Sequence, residues 1–398
     1  MSAALGEQVQ RFRDAERQRS PLLRIDPLLF LAAVGLIACS IYVVGKATHD
    51  DIPGDPNYYE MRQGIYAAVG IALMLLVARF DYSRLRELKL GIYGAMIGLI
   101  LLVFALGAAA RGSQRWIELP FFRLQPSELG KVLLIVALAG FTVDRMRRLG
   151  DRDTTSRLLL LAILPSILVV AQPDLGSGLV YMAIATAILF VGGTKWTHFA
   201  ALGGLAAVAI AAVLVVGPAI GVEVLKDYQK DRLTAFVNPT DDPAEQGYQL
   251  QQSTVAIGSG EKTGRGPEGA TQTKLDFLPE HHTDFIFSVV GEMFGFAGAA
   301  FVLSLYALLI WRALRILTMS KNLYGTLIVG GVVAMLMFQV FVNVGMTVGL
   351  GPITGVPLPL MSYGGSSVMV TFLAIGLLQS VHAQARLTSD AKRRELVV

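Results

Sequence analysis

Residues 272–288 concentrate the side chains of this chain that can do acid–base or electrostatic chemistry. The titratable residues in this stretch are Lys274, Asp276, Glu280, His281, His282 and Asp284. Asp284 stands directly before an apolar run, and a carboxylate at a membrane boundary is costly unless it is paired, hydrated or used in function. Asp284 is therefore the first functional candidate.

Overall composition excludes an ordinary soluble domain of this length. Hydrophobic residues make up 54% of the chain and charged residues 16%, and the mean hydropathy is positive. Cys39 is the only cysteine, which excludes an intramolecular disulfide and a cysteine-based metal site. Acidic residues interrupt the arginines before the first apolar run, so a solvated tail is favoured over a nucleic-acid-binding arm.

Ten runs of roughly 17 to 25 mainly apolar residues are long enough to cross a hydrocarbon core of about 30 Å. They cover residues 27–46, 64–80, 89–110, 128–146, 157–172, 178–193, 198–220, 285–311, 323–348 and 366–384. The sequence therefore predicts an all-α, polytopic integral membrane protein with about ten transmembrane helices.

The loops between these runs alternate in Lys and Arg content, and cytoplasmic loops carry the excess of positive charge. This alternation predicts cytoplasmic tails at 1–26 and 385–398, with helices 1–7 in 27–220 and helices 8–10 in 285–384. Residues 221–284 then form one large extracytoplasmic loop. Helical periodicity predicts an amphipathic helix over Val222–Val237 and a second short helix over Gly247–Gly258.

The loop before the fourth predicted helix carries Arg115 and Arg123 on the outer side, against the usual charge bias. One interpretation places these arginines at lipid headgroups, with Trp116 as an interfacial anchor. The other interpretation is a binding site for phosphates, for which arginine offers a bidentate hydrogen-bond donor. Pro126 suits the first helical turn, and Gln125 or Ser127 is expected to cap it.

Three further polar residues lie on or near apolar runs. Glu128 and Lys131 share a helix face at the i, i+3 spacing, either as a structural pair or as groups that line a substrate site. Asp174 lies in a turn between two runs, and it is either a turn residue or part of the same outer site.

Residues 343–367 contain too many prolines and glycines for one continuous helix. Irregular backbone at membrane depth occurs where it is buried in protein or lines a wet cavity. This stretch is therefore expected to form a cavity wall near Asp284, with its glycines serving either packing or ligand contact.

Several sequence motifs, spread over nearly the whole chain, together resemble those of the shape, elongation, division and sporulation (SEDS) glycosyltransferases. They are Arg115-Trp116, Arg123 with Gln125–Glu128 and Lys131, Gln172–Gly176, Lys274–Asp276, His282–Phe285 and Pro359–Ser367. Residues 343–359 are more similar to the elongation member of the family than to the division member. Residues 261–268 depart from the family pattern by being more charged.

The resemblance implies a peptidoglycan glycosyltransferase that polymerises lipid II on the outer face of the bacterial cytoplasmic membrane, with Asp284 as general base. The substrate-binding residues that it implies are Arg115, Arg123, Gln125, Glu128, Lys131, Asp174, Lys274, Asp276, His282, Ser362, Gly364 and Gly365. The histidines are either structural hydrogen-bond partners or direct participants. A divalent cation, magnesium or manganese, is an optional cofactor, for which Asp174, Asp276 and Asp284 are the candidate ligands.

The expected partners are lipid II, the nascent glycan strand, a class B penicillin-binding protein transpeptidase and other elongation-complex membrane proteins, with no nucleic acid. Two other functions fit ten membrane helices. One is a flippase for a lipid-linked cell-wall precursor, but the sequence has no clear repeat with matched broken segments. The other is a non-catalytic scaffold for a transpeptidase, which leaves Asp284 unexplained.

Overall fold

Apolar helices account for most of the chain in the computed structural model, which describes residues 25–106, 108–110, 113–118, 123–212, 246–275 and 277–395. In these ranges seven helices are long and apolar enough to cross a membrane, and three further apolar helices are shorter. Each of the ten predicted spans matches one of these helices, which confirms the polytopic helical fold.

The helices in chain order are α1 (Pro27–Ala47), α2 (Tyr58–Arg79), α3 (Lys89–Leu106), α4 (Pro126–Asp144), α5 (Arg152–Ala171), α6 (Leu175–Val191), α7 (Trp196–Ala211), α8 (Gln246–Ser259), α9 (Gly266–Gly269), α10 (Thr271–Lys274), α11 (Ile286–Met319), α12 (Leu323–Thr347) and α13 (Gly365–Glu395). Short 3-10 helices cover Tyr82–Arg86 and Met146–Arg148. The predicted helix at Gly247–Gly258 is confirmed as α8, and the one predicted at Val222–Val237 lies outside the described residues.

The third predicted span extends too far. Helix α3 ends at Leu106, and the next described residues, Ala108–Ala110, form strand β1. Strands β2 (Ser113–Glu118) and β3 (Arg123–Leu124) complete a three-stranded antiparallel sheet in the order β1-β2-β3. Apolar content alone does not separate a helix end from a following strand, although Gly107 in the sequence is a typical residue after a helix.

Helix α4 is almost fully enclosed by other helices. It packs against α3, α6 and α12, and almost every residue from Pro126 to Thr142 is buried. Pro126 occupies the first turn as predicted, but the side chain of Gln125 makes no capping hydrogen bond. Polar side chains in the first turns of α4 therefore lie inside the bundle.

Helix α11 is broken at Gly295, whose φ of 61° lies in the left-handed region that favours glycine. The loop after α8 fills the break. The Phe296 amide donates to the Glu261 carbonyl at 2.9 Å and the Ala297 amide to the Lys262 carbonyl at 3.0 Å. The part of α11 after Gly295 is about 36 Å long, which is enough to cross a membrane by itself. Residues 286–294 are therefore not needed for the span, and they connect it to the polar loop that precedes α11.

The irregular path predicted after Asn343 begins slightly later than expected. Helix α12 continues to Thr347, and helix α13 begins at Gly365. Between them, residues 348–364 form bends and turns. This irregular segment is packed within the protein, as Leu358, Leu360 and Met361 are buried.

Candidate active site

Asp284 lies in a turn that ends at the start of α11, and its side chain is half-buried. We call residues 280–285 the Asp284 loop. Asn343 on α12 donates from Nδ2 to the Asp284 carbonyl at 2.9 Å and to the Val356 carbonyl at 2.9 Å. One buried amide thereby holds the main chain of Asp284 against both α12 and the irregular segment.

Ser362 fixes the same loop from the other side. Its hydroxyl donates to the Thr283 carbonyl at 2.6 Å and accepts from the Leu358 amide at 2.8 Å. The Tyr363 amide donates to the His282 carbonyl at 2.9 Å. Three consecutive carbonyls of the Asp284 loop are therefore held by residues that are distant in sequence.

Three glycines of the irregular segment and its edge have different surroundings. A methyl group on Gly355 would lie 3.5 Å from Oδ2 of Asp284, and its φ of 70° favours glycine. The Gly364 amide donates to Gln63 on α2 at 3.4 Å, and a methyl group on Gly365 would lie 3.0 Å from the ring of Tyr66. Gly355 therefore borders the carboxylate, whereas Gly364 and Gly365 contact α2.

The ring of His282 is enclosed by aromatic side chains. Its centroid lies 4.9 Å from that of Tyr59 and 5.7 Å from that of Tyr363. These rings position the imidazole two residues before Asp284 and connect the Asp284 loop to α2.

His281 is buried and points to the loop between α1 and α2. Its Nδ1 lies 3.2 Å from the Leu278 carbonyl oxygen, and its Nε2 lies 3.5 Å from Oδ2 of Asp51. Among the described residues, Asp51, His281 and His282 form a group whose ligand atoms all lie within 4.8 Å of one another.

A second polar group lies at the start of α4, and we call Gln125, Ser127, Glu128, Lys131 and Asp174 the α4 cluster. Nζ of Lys131 lies 2.5 Å from Oε1 of Glu128, and the two side chains are 1% and 4% exposed. The predicted i, i+3 contact is therefore present, and it is a buried ion pair.

Asp174 joins the α4 cluster and also caps α6. Its carboxylate accepts from the Ser177 amide at 3.1 Å, the Ser127 hydroxyl at 3.0 Å and Nε2 of Gln125 at 3.1 Å. Asp174 is therefore both a turn residue, as one interpretation of the sequence predicted, and a member of a polar group, as the other predicted. Gln125 and Ser127 bind Asp174 rather than capping α4.

The two arginines of the sheet region differ. Arg115 donates from Nε to the Gln172 carbonyl at 3.1 Å and from its terminal nitrogen to the Pro173 carbonyl. Arg123 is exposed, and its guanidinium lies 3.4 Å from Glu118 on the paired strand. Arg115 thus fixes the turn before Asp174, whereas the guanidinium of Arg123 faces the outside of the fold.

Lys274 contacts Glu268, and its ammonium holds the pKa of that exposed carboxyl below its usual range. The buried carboxylate of Glu292 on α11 accepts from the Gln272 amide at 2.8 Å and from the Thr273 amide at 3.1 Å. Glu292 therefore holds α10 and Lys274 against α11. Asp276, the next predicted residue, lies outside the described residues.

The Asp284 loop and the α4 cluster meet through the irregular segment. A methyl group on Gly176, two residues after Asp174, would lie 2.7 Å from the Thr354 carbonyl oxygen, and Thr354 adjoins Gly355. Asn343 and Glu292 were not among the functional residues predicted from the sequence. The signal that could have identified them is a polar side chain within a predicted span, because such a residue is costly in a membrane unless it has a partner.

The fold and this arrangement define a multi-pass membrane protein with a polar site at one end of its helices. The family model for FtsW, RodA and SpoVE, described as a cell cycle protein, matches residues 23–387. The chain belongs to this family, which is the SEDS family predicted from its motifs.

Individual relatives agree with this membership. Peptidoglycan glycosyltransferase MrdB of Escherichia coli K12 is 36% identical over 93% of this chain and 96% of its own length. A Geobacter metallireducens protein named "Probable peptidoglycan glycosyltransferase FtsW" is 37% identical over 91% of this chain and 96% of its own length. In a solved structure described as a peptidoglycan synthase complex that coordinates polymerization and crosslinking, one chain is 31% identical, with a TM-score of 0.75 over 91% of this chain and 98% of that chain.

Proposed function

We propose that this chain is a peptidoglycan glycosyltransferase that polymerises lipid II, with Asp284 as the general base. The observation that carries the assignment of the base is the fixation of the Asp284 loop, whose carbonyls at His282, Thr283 and Asp284 are bound by Tyr363, Ser362 and Asn343. Family membership supplies the reaction class, since the named relatives are peptidoglycan glycosyltransferases.

In this reaction the 4-hydroxyl of one lipid-linked disaccharide attacks the anomeric carbon of another. The new glycosidic C–O bond forms as the bond from the anomeric carbon to the undecaprenyl pyrophosphate breaks. Asp284 accepts the hydroxyl proton, because a hydroxyl group of high pKa needs a positioned base. The pyrophosphate departs with the electron pair of the broken bond.

The leaving pyrophosphate gains negative charge, which nearby cations stabilise. Arg123 offers an exposed guanidinium for this role, and Lys274 an ammonium at the end of α10. Lys131 is buried and paired with Glu128, so it acts from within the bundle rather than through a surface contact. Arg115 positions the turn before Asp174.

Magnesium and manganese prefer oxygen ligands. Of the three carboxylates predicted to hold such an ion, Asp174 already accepts three hydrogen bonds, and Asp276 lies outside the described residues. Asp284 is the remaining carboxylate of that set.

We also propose that both termini are cytoplasmic and that Asp284 works at the outer face, next to a class B penicillin-binding protein transpeptidase. The Lys and Arg bias of the loops supports the orientation, and the synthase complex with a crosslinking activity supports the partner. The elongation role rests on residues 343–359, because the two curated relatives have nearly equal overall identity.

The decisive experiment measures glycan chains formed from purified lipid II by the protein in detergent, with its transpeptidase partner and divalent cations present. Asp284→Asn should lower the rate by about 10² to 10⁴, the usual contribution of a general base. Asp55→Asn, which changes an exposed carboxylate, is the matched control. No polymer from wild type would reject the glycosyltransferase function and favour the flippase.

Orientation has its own test. In a protein with Cys39 replaced, cysteine at Lys262 should react with an impermeant thiol reagent added to intact spheroplasts, and cysteine at Asp151 should not. Both native side chains are exposed. Equal labelling with intact membranes would reverse the proposed topology.

A further inference from the structure

The group formed by Asp51, His281 and His282 has a hydrogen-bonding arrangement that indicates a bound cation. Nδ1 of His281 lies 3.2 Å from the Leu278 carbonyl oxygen. A carbonyl can only accept, so Nδ1 carries the proton and, in a neutral imidazole, Nε2 holds the lone pair. The lone pair of Nε2 therefore faces the Asp51 carboxylate, whose Oδ2 lies 3.5 Å away. Two electron-rich atoms thus face each other.

Two electron-rich atoms at this distance need a positive charge between them, supplied by a proton or by a metal ion. The geometry favours a metal. In a tetrahedral zinc site with ligand bonds of about 2.0 to 2.1 Å, neighbouring ligand atoms are roughly 3.4 Å apart. The observed 3.5 Å between Nε2 of His281 and Oδ2 of Asp51 matches one edge of such a tetrahedron.

The second histidine supplies a third ligand within reach. The ligand atoms of all three residues lie within 4.8 Å of one another, and a bound ion would draw them closer. The ring of His282 already lies between Tyr59 and Tyr363, which restricts its orientation. The donation from Nδ1 of His281 to a backbone carbonyl is the outer contact typical of metal-binding histidines.

We propose that Asp51, His281 and His282 form a binding site for a divalent transition-metal ion of the zinc class. Two imidazoles and one carboxylate suit zinc, whereas magnesium prefers oxygen ligands throughout. The ion ties the loop between α1 and α2 to the Asp284 loop. The site is separate from the carboxylates considered for the transferase reaction, and it stands whether or not that reaction is assigned correctly.

Metal binding is measured directly on the full-length protein, purified in detergent without a histidine tag and treated with a chelator. After incubation with zinc and gel filtration, wild type should retain about one zinc ion per chain by elemental analysis. Titration with cobalt(II) should give visible absorption bands of a low-coordinate nitrogen and oxygen site. Zinc should also raise the thermal unfolding midpoint of the wild type.

Asp51→Asn is nearly isosteric, and it should weaken zinc binding at least about tenfold while the chelated protein keeps its unfolding midpoint. His281→Ala should do the same. Matched controls come from the same loop, where Asp50 and His49 are exposed; Asp50→Asn and His49→Ala should bind zinc like wild type.

Two results would overturn the proposal. If wild type retains no zinc after gel filtration, a proton alone holds His281 and Asp51 together. If Asp51→Asn and His281→Ala both retain zinc as tightly as wild type, the ion binds elsewhere on the protein.

Discussion

The α4 cluster and the Asp284 loop hold their carboxylates in opposite ways. In the α4 cluster the bonds are made to the side chains: Lys131 pairs with Glu128, and three donors bind the carboxylate of Asp174. In the Asp284 loop Asn343 and Ser362 bind main-chain carbonyls instead. In the first region the carboxylates are bound directly by neighbouring side chains and amides, whereas in the second the backbone of the acidic residue is fixed.

This difference separates two uses of an acidic residue in a membrane protein. A buried, paired carboxylate stabilises the arrangement of helices only while its partner is present. A carboxylate fixed through its main chain keeps its position when its own side chain changes protonation state. The second arrangement is the one that a general base requires.

The largest effect is expected from breaking the ion pair. Lys131→Met leaves the Glu128 carboxylate buried without its cation, at a cost of about 3 to 5 kcal/mol, so the thermal midpoint and lipid II polymerisation should both fall sharply. The double variant Lys131→Met with Glu128→Gln removes the unpaired charge and should recover the midpoint.

The double variant also separates the effect of the ion pair on stability from its effect on polymerisation. Polymerisation should remain low in it, because the Lys131 ammonium is still absent. Full recovery of both properties would make the pair purely structural. Lys262→Met, which changes an exposed lysine, should match wild type in both measurements.

Loosening the backbone anchor should give the next largest effect. Ser362→Ala leaves the Leu358 amide and the Thr283 carbonyl without the hydroxyl that joins them, and small displacements at a reacting centre lower rates by about 10²-fold. We expect kcat to fall by about tenfold or more, with a smaller change in KM. Unaltered kcat would show that other contacts hold the Asp284 loop; Ser304→Ala, on the exposed side of α11, is the control.

Intermediate effects are expected at the two arginines. Arg123→Lys should polymerise about as poorly as Arg123→Ala, roughly tenfold below wild type, because an ammonium lacks the paired donors of guanidinium. Its unfolding midpoint should be unchanged, since Arg123 is exposed. Arg115→Lys should lower the midpoint, because one nitrogen replaces the two that bind the Gln172 and Pro173 carbonyls. Equal stability of both lysine variants would contradict these roles.

The smallest effect concerns Glu268, whose pKa the Lys274 ammonium depresses. A depressed pKa stabilises the folded state at neutral pH, and this contribution disappears as the pH falls through the folded pKa. Glu268→Gln should therefore unfold about 1 °C below wild type at pH 7, a small shift because the pair is exposed. The difference should vanish once the pH lies below the folded pKa, and a difference that does not change with pH would exclude the ion pair as its cause.

Local sequence patterns predicted the elements that depend on local properties. Hydropathy located all ten spans, and the proline and glycine content of residues 343–367 located the irregular segment. The β1 strand was missed because Ala108–Ala110 are apolar and small, which fits a helix end as well as a strand.

Long-range partners were beyond the reach of such patterns. The carbonyl contacts of Arg115 join residues 57 and 58 positions apart, and Asn343 reaches Asp284 across 59 positions. Spacing cannot reveal pairs that only helix packing brings together. For this reason the sequence indicated that Arg115 and Asp174 belong to one outer region, but not that a turn of main chain lies between them.

The break in α11 links membrane insertion of this helix to the loop that follows α8. Residues 260–264 leave the ribosome before α11, and the Glu261 and Lys262 carbonyls later accept the Phe296 and Ala297 amides. Lipid offers no acceptor for such amides, so a newly inserted α11 on its own remains a continuous helix. The bend therefore requires the preceding loop, and the position of the Asp284 loop depends on that loop as well as on α11.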